Sequence, residues 1–506
     1  MTTMALILLT SILAAILWAA IQFLDEFLQR RRAPPGTRLP PMPPASPLWG
    51  HNEVYSLGVQ STAVMQWSKK YGPVFRLRKN LRTIVLLNDF ESIRQFCNKK
   101  ELLCRSTVLT FFREKNQGIG LLKGKPWSEN RKFCMSILRD LGFARTAMEN
   151  SMMEEFNRVV EAIDKVGGKS MDVRGYLFTS SLKNITSFFY GARFSHDHPT
   201  MEGLHSTMLQ LNLLLNSGGV YEFHKPAVRR LVSMLPFTRQ GRIAKCLTKL
   251  ETIAEKQVRE YKETNCGNES RDFICGYLQK IEDDKKESER LFTDERLVGN
   301  ISAFLTAGTF STAGTLCWGL FQFSQNVATI QARVQREIDD AVGPHRQPTW
   351  EDKKQMPFTL ACVWELLRWV TTSLTGVPRE ATEDVVIGDF FIPKGTVVLP
   401  NISAVHRDPT LWKNPNNFDP HRFLTEDGTG IRNKPEYFIP FSIGRRACPG
   451  DTFATMEIFL MLSLLAQKYR IVPEHPLEYN RDSAELPWQC LKDMKLRFLP
   501  REVPYC

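Results

Sequence analysis

Cysteine is scarce in this sequence, with 11 residues scattered through 506 and no CxxC pair among them. An odd count without framework spacing excludes a disulfide-stapled scaffold and predicts mostly buried thiols in a reducing compartment. Internal repeats and low-complexity tracts are also absent after residue 50. With 43% hydrophobic and 24% charged residues, the composition excludes disordered and collagenous classes and is typical of a protein with a large core.

Acidic residues are in the minority, because 66 Lys and Arg face 54 Asp and Glu for a net charge of +12. Such an excess suits an acidic protein partner, an anionic membrane surface or nucleic acid. The sequence contains no recognisable nucleic-acid-binding motif. We therefore expect a protein or membrane partner and no nucleic acid.

Charge is missing altogether from Met4 to Leu24, and about twenty apolar residues suffice for a helix to cross a bilayer. The cluster Arg30–Arg32 follows, and no Lys or Arg precedes the run. A cleaved signal peptide would have a basic start and a shorter apolar run. We predict a transmembrane signal-anchor at 4–24, a basic and proline-rich arm at 25–50, and a body that faces the cytosol.

The remaining segment, 51–506, has no linker that would divide it and is predicted to be one catalytic domain. Val74–Leu77 and Thr83–Leu87 alternate as the strands of a hairpin, and Asp89 should cap a short helix. Helical periodicity dominates between Glu129 and Cys362, and a last helix is predicted from about Cys448 to Lys468. The predicted fold class is mainly α with a minor β-sheet.

The segment FSIGRRACPG, residues 441–450, combines five residue types at fixed spacing. Cys448 is placed at the start of the last helix, where backbone N–H groups should lower the thiol pKa. A thiolate held in this way can be the axial ligand of a haem iron. Gly444 and Gly450 would let the backbone approach a flat ligand, Phe441 would pack beside it, and Arg446 could pair with a propionate. A buried free cysteine is the alternative.

This decapeptide resembles the haem-binding signature of the cytochrome P-450 family, the haem-thiolate monooxygenases. The signal-anchor and the arm resemble the microsomal animal type. The resemblance implies the cytochrome P-450 fold, haem b with Cys448 as iron ligand, and electrons from NADPH through NADPH–cytochrome reductase, with cytochrome b5 as a further donor. It also implies a lipophilic substrate and a location in the endoplasmic reticulum membrane.

Further residues match the family's pattern and receive roles from the resemblance. Glu365, Arg368 and Arg422 would form a buried network beneath the haem. Trp127 and Arg131 fit the WxxxR pattern and would hold propionates. Arg105 and Arg379 stand where related enzymes place additional propionate partners, although solvated surface arginines would fit these two positions equally well.

The central helix departs from the family at its oxygen site, where the chain reads AGTFST over residues 307–312. Gly308 would leave a groove for dioxygen, and Ser311 and Thr312 are the candidate proton relay. Phe310 replaces the usual acid, which puts proton delivery in doubt. A haem-thiolate isomerase or dehydratase acting on lipid peroxides, or a non-catalytic haem- or lipophile-binding protein, therefore remain as alternatives to monooxygenation.

The sequence also predicts a substrate cavity, a segment that contacts the membrane and a docking surface. An apolar substrate cavity is predicted from side chains in the family's substrate-contacting regions: Leu109, Phe111, Phe112, Phe304, Leu374, Val377 and Leu486. The segment 220–237 mixes apolar and basic residues and would dip into the membrane interface, unless it is an ordinary surface loop. Docking of an acidic redox partner is expected on a basic patch of Lys125, Arg131, Lys132, Arg139 and Arg445.

Overall fold

A single long helix, α1, runs from Thr2 to Arg32 at the start of the chain in the computed structural model. Its segment Met4–Arg32 is long and apolar enough to cross a membrane, with a mean hydropathy of 2.5 in its most apolar window. The helix does not stop at Leu24 but continues through the Arg30–Arg32 cluster. The structure describes residues 2–46, 50–51, 62–79, 82–108, 115–143, 146–190, 199–216, 226–264, 272–287, 289–476, 491 and 494–501.

The body is mostly helical, as predicted. Its helices are α2 (Thr62–Tyr71), α3 (Phe90–Cys97), α4 (Gly124–Asp140), α5 (Thr146–Val166), α6 (Arg174–Tyr190), α7 (Pro199–Asn216), α8 (Pro226–Met234), α9 (Arg239–Glu263), α10 (Phe273–Asp284), α11 (Asp294–Gln325), α12 (Ala332–Ala341), α13 (Pro357–Val370), α14 (Ile402–His406) and α15 (Asp451–Lys468). Asp89 caps α3 as expected, because its side chain accepts a hydrogen bond from the Ser92 N–H.

The minor sheet is also as predicted. Its strands are β1 (Val74–Lys79), β2 (Arg82–Leu87), β3 (Cys104–Arg105), β4 (Arg379–Glu380) and β7 (Val397–Pro400), in the order β1-β2-β7-β4-β3. β1 and β2 form the expected antiparallel hairpin, with Val74 opposite Leu87. Two small antiparallel pairs accompany the sheet: β5 (Val385–Ile387) with β6 (Phe390–Ile392), and β8 (Tyr469–Pro473) with β9 (Leu496–Pro500).

Helix α11 passes through the middle of the body, and its second half is buried without interruption from Thr312 to Ser324. It packs antiparallel to α6, because Phe304 stacks on Phe189 while Phe310, further along α11, stacks on Phe178, nearer the start of α6. Burial on all sides explains why this helix shows no polar stripe in the sequence.

The proline-rich arm lies against the sheet side of the body. Arg38 and Asp389 pair through both backbone and side chains, and the Arg38 carbonyl accepts from the Phe391 N–H. Arg76 of β1 joins the end of α1, with 2.7 Å between its Nη2 and Glu26 Oε1. These contacts tie the arm and the end of α1 to the body.

Most of the cysteines that the structure describes follow the prediction. Cys97, Cys104, Cys134, Cys246, Cys317 and Cys362 are free and buried. Cys275, near the start of α10, is disulfide-bonded, so the expectation of thiols alone is wrong at this position.

Candidate active site

The loop before α15 folds back on itself and presents Cys448. The Cys448 N–H donates to the Phe441 carbonyl at 2.9 Å, and the Ala447 N–H donates to the Gly444 carbonyl at 2.9 Å. Ser442 and Gly444 both have positive φ, of 60° and 75°. The Cys448 side chain is exposed at this loop, and the Gly450 N–H points at its Sγ from 3.4 Å.

Two expectations about Cys448 are wrong. Helix α15 begins at Asp451 and not at Cys448, because Pro449 disfavours a helical conformation at the residue before it. The side chain is exposed at the loop, but the protein around its sulfur desolvates the thiolate form and raises the pKa of the thiol above its ordinary value, although the Gly450 N–H and the nearby Arg131 and Arg105 act in the opposite direction. A metal cation bound to the sulfur would favour the thiolate.

Arginine side chains surround the cysteine loop, as the sequence predicted. Arg131 Nη2 donates to the Ala447 carbonyl at 2.8 Å. Arg105 bridges the Val377 and Arg446 carbonyls, at 2.9 and 3.4 Å. Arg379 Nη1 donates to the Cys97 carbonyl at 2.9 Å. Arg131 and Arg105 thus bind carbonyls of the cysteine loop directly, whereas Arg379 binds the end of α3, which Gly444 of the loop approaches; their roles as propionate partners stay predictions.

Arg446 is buried, and its guanidinium lies 3.8 Å from the centre of the Trp127 ring. Its Nε donates to the Leu103 carbonyl at 2.8 Å, and its Nη atoms donate to the Ile119 and Leu122 carbonyls. The guanidinium is thus oriented by three backbone carbonyls and one aromatic face.

The charges at this site lack a counterpart. Among the residues that the structure describes, no carboxylate forms an ion pair with Arg105, Arg379 or Arg446. Burial, followed by mutual repulsion, lowers the pKa of Arg105 to about 9 and that of Arg446 to about 8. The buried donors Trp127 Nε1, Arg105 Nε and Arg379 Nε have no hydrogen-bond partner. A ligand with two carboxylates would supply both the missing negative charge and the missing hydrogen-bond acceptors. Haem is such a ligand.

The two glycines of the loop differ in their surroundings. A Cβ added at Gly444 would lie 2.9 Å from Asn98 Oδ1 and 3.0 Å from the Cys97 carbonyl oxygen. Gly444 therefore allows a close approach to the end of α3, and its role toward a ligand stays a prediction. At Gly450 the nearest atom to an added Cβ is Cys448 Sγ, at 4.0 Å. Phe441 is half-buried against the main core.

The structure assembles Glu365, Arg368 and Arg422 into one network. Arg368 binds Glu365 with two hydrogen bonds of 2.7 Å, and both side chains are fully buried. Arg422 Nε reaches Glu365 Oε1 at 3.3 Å. Arg368 also donates to the carbonyls of His406, Pro415 and Asn417. The network fixes the loop before Arg422, as the resemblance implied.

Helix α11 exposes one short face in its otherwise buried middle, at Ala307 and Ser311. These residues are four apart and lie on one side of the helix, where Ser311 Oγ donates to the Ala307 carbonyl at 2.7 Å. Thr312 is buried, and its Oγ1 has no hydrogen-bond partner. Ser311 and Thr312 therefore differ in access, and only Ser311 borders open space.

Gly308 and Phe310 both face α6. A Cβ added at Gly308 would lie 3.2 Å from Ile185 Cγ1, so this glycine allows close helix packing. Its part in dioxygen binding stays a prediction. The Phe310 ring stacks on Phe178 with 5.9 Å between centroids. The residue at 310 thus contributes an apolar contact where the family's pattern has an acid.

The predicted substrate cavity is described only in part. Phe304 is buried, and Leu374 and Val377 are half-buried. Leu109, Phe111, Phe112 and Leu486 lie outside the described residues, as does the segment 217–225. From 226 onward, Val228, Leu231, Met234 and Phe237 are largely exposed on and after α8, which is compatible with the predicted interfacial segment.

Sequence reasoning missed a buried amide pair, Asn130 and Asn300, which joins α4 to α11. It also missed Glu457 on α15, which is fully buried, accepts a hydrogen bond from Asn184, and has its pKa raised to about 7 by burial. A lone acid within the apolar run FATMEIFLML was the available signal for Glu457. For the asparagines no local signal exists.

Cys448 lies among arginines that no described carboxylate neutralises, and the Glu365–Arg368–Arg422 network fixes the loop before Arg422. This arrangement suits a haem-thiolate site. A family model described as Cytochrome P450 matches residues 40–487, and the chain belongs to this family. It is 30% identical over 460 residues to Cytochrome P450 2C20 of Macaca fascicularis, covering 90% of this chain and 92% of that relative. Identity is 31% over 437 residues to Cytochrome P450 2C55 of Mus musculus, covering 86% and 88%. Against Cytochrome P450 2C8 of Homo sapiens it is 30% over 460 residues, covering 90% and 92%.

Family membership confirms the predicted class. The chain is a cytochrome P450 monooxygenase of the animal microsomal type, with haem as cofactor and a cysteine thiolate as the ligand of its iron.

Proposed function

We propose that this chain is a membrane-anchored monooxygenase that inserts one oxygen atom from O2 into a lipophilic substrate, with Cys448 as the haem ligand. Electrons would come from NADPH through a reductase, and the body would face the cytosol from the endoplasmic reticulum membrane. The observation that carries the proposal is the exposed Cys448 thiol beside Arg105, Arg379 and Arg446, for which the described part of the chain supplies no carboxylate partner.

Each group around the loop then has a definite task. Cys448 Sγ binds the iron, and the Gly450 N–H, 3.4 Å away, stabilises negative charge on the sulfur. Arg105, Arg131, Arg379, Arg446 and Trp127 Nε1 hold the two propionates. The thiolate-bound haem supplies oxygen activation when it is present. Glu365, Arg368 and Arg422 keep the loop beneath it in place.

The exposed positions of α11, Ala307 and Ser311, would border the reacting centre when haem is bound. Ser311 Oγ can hold a proton at the surface of α11, because its present acceptor is only the Ala307 carbonyl. The Phe310 side chain can neither donate nor accept a proton. Apolar side chains at Phe304, Leu374 and Val377 favour a lipophilic substrate and exclude water.

Phe310 is also the observation that favours a second candidate, an isomerase or dehydratase of lipid peroxides, because that chemistry needs no external protons or electrons.

Incubation of the purified protein and reductase with isotopically labelled dioxygen, with and without NADPH, separates the two functions. The panel should contain sterols, fatty acids, lipid peroxides and xenobiotics. We expect label in the product only with NADPH. Unlabelled rearrangement of a peroxide without NADPH would establish the isomerase, and ligand-induced spectral change without any turnover would establish a binding protein.

The redox partner is proposed to dock on the basic patch. Lys132 and Arg139 are exposed and seven residues apart on α4, and Arg445 is exposed beside the Trp127 ring. Lys125 contributes less, because it is paired with Glu289 at 2.5 Å. Arg131 is directed inward to the Ala447 carbonyl and belongs to the haem site instead.

Reversal of two charges tests this patch. Replacing Lys132 and Arg139 by Glu is expected to slow electron transfer from the reductase at least about tenfold at low salt, with the difference shrinking as salt screens the charges. Stopped-flow reduction of the haem under carbon monoxide measures this rate. Lys165→Glu with Lys169→Glu, two exposed lysines at the end of α5, is the control. Equal rates in both double variants would place the docking surface elsewhere.

A further inference from the structure

Two glycines allow the backbone of the loop before α4 to touch the backbone of α11. A Cβ added at Gly118 would lie 2.2 Å from the Gly299 carbonyl carbon and 2.3 Å from the Asn300 nitrogen. One added at Gly299 would lie 2.3 Å from the Asn116 carbonyl oxygen and 2.4 Å from the Gly118 nitrogen. No side chain larger than hydrogen fits at either position, so loop and helix are in direct main-chain contact.

A buried amide pair locks the same crossing. Asn130 Nδ2 donates to Asn300 Oδ1 at 2.9 Å, and Asn300 Nδ2 donates back to Asn130 Oδ1 at 3.0 Å. Both residues are fully buried. The Tyr277 hydroxyl donates to Asn130 Oδ1 at 2.5 Å. The two amides and the hydroxyl therefore satisfy one another without solvent, across α4, α10 and α11.

The loop uses this lock to hold Arg446. The Ile119 N–H donates to Asn300 Oδ1 at 2.7 Å, while the Ile119 carbonyl accepts from Arg446 Nη1 at 3.3 Å. The Leu122 carbonyl, three residues on, accepts from Arg446 Nη2. A path of hydrogen bonds thus leads from the Asn300 side chain of α11, through the main chain of Ile119, to the guanidinium of Arg446, two residues before Cys448.

We propose that Asn300, with Asn130 and the crossing glycines, is a positioning residue for Arg446 and so for the haem propionates. Asn300 holds α11, the helix that would border the substrate, in a fixed position relative to the cysteine loop. The inference rests on the proposed assignment of Cys448 and its arginines as the haem site. Asn300 touches no reacting atom and acts only through the Ile119 peptide.

The mechanism is geometric. If the loop moves away from α11, Arg446 loses two of its three carbonyl acceptors and is no longer held in one orientation beside the propionates. A cation held beside the propionates stabilises bound haem and shifts its reduction potential, because charge and hydrogen bonding around the cofactor set both quantities. Haem retention and reduction potential are therefore the readouts, and a merely structural role would show as haem loss that only follows thermal stability, with an unchanged potential.

The experiment compares Asn300→Leu and Gly299→Ala with two matched controls in the haem-loaded protein. Tyr277→Phe removes a hydrogen bond from the same amide network but leaves the Asn300–Ile119 contact intact. Gly203→Ala is a glycine replacement within a helix, α7, with no atom within 4 Å of the new Cβ. We measure haem loss to an excess of apo-haemoprotein acceptor, the reduction potential, and thermal stability.

The expected result is haem loss about tenfold faster in Asn300→Leu and Gly299→Ala, with a shifted potential, and haem loss within about twofold of the parent in both controls. Tyr277→Phe should lower thermal stability without changing the potential. Haem loss that follows thermal stability across all four variants, or that is unchanged in Asn300→Leu, would overturn the proposal. Failure of the Cys448 assignment would be visible separately, because Cys448→Ala would then keep the thiolate spectrum.

Discussion

Replacement of Cys448 by alanine is expected to abolish monooxygenation and the spectral signature of thiolate ligation together. Cys448 Sγ is the exposed sulfur of the loop, whereas Cys97, Cys134 and Cys362 are buried free thiols in the core. The carbon monoxide difference spectrum of the reduced protein reports whether thiolate binds the iron. Turnover of a lipophilic substrate with NADPH and reductase gives the second measurement.

Cys246→Ala is the matched control, because it removes a buried thiol from α9 without touching the loop. It should keep both the spectrum and the turnover, at a modest loss of stability from the small cavity. Retention of the thiolate spectrum in Cys448→Ala would contradict the assignment of this cysteine.

Replacement of Glu365 by glutamine should prevent stable haem incorporation. The substitution keeps the shape of the side chain but leaves the fully buried Arg368 charge without its counter-charge. Removing one partner of a buried pair costs about 3–5 kcal/mol of folding free energy, and here it also frees the loop that Arg368 and Arg422 hold. Denaturant unfolding of the apo-protein and haem content after expression measure the two effects.

The chain supplies a matched control in Glu91 and Arg94 of α3. This pair has the same spacing and the same two-bond geometry, at 2.9 and 3.0 Å, but both side chains are about half exposed. Glu91→Gln should leave the denaturant unfolding curve nearly unchanged, because exposed ion pairs contribute little to stability. Similar losses in the two variants would mean that the Glu365 network is not special to the site.

Local patterns were sufficient for much of this molecule. The hairpin of β1 and β2, the cap at Asp89 and the long helices have short-range causes in alternation, capping and periodicity. The motif around Cys448 also indicated the correct family, because its residues are consecutive and the family shares them. Helix α15 starting at Asp451, three residues late, shows the limit of such reasoning at a proline.

The remaining features depend on distant contacts. Asn130 and Asn300 are 170 residues apart, and neither residue type signals a partner in the sequence. Glycine permits close approach, but the sequence does not say which atoms approach: Gly308 packs against α6 and Gly444 against the end of α3, while their roles toward ligands stay predictions. Likewise, a helix start suggested a low thiol pKa at Cys448, whereas burial by the whole fold raises it.

The tie between α1 and the body has a mechanical consequence. Glu26 pairs with Arg76, Arg32 with Asp384 and Arg38 with Asp389, with 2.5 to 2.8 Å between the closest atoms. These three ion pairs lie on both sides of the junction between α1 and the arm, so they hold the end of α1 and the arm against the body. If α1 spans a bilayer as proposed, a change in its tilt is expected to turn the body with it, so that membrane thickness would alter how the face around α8 is presented to the lipid.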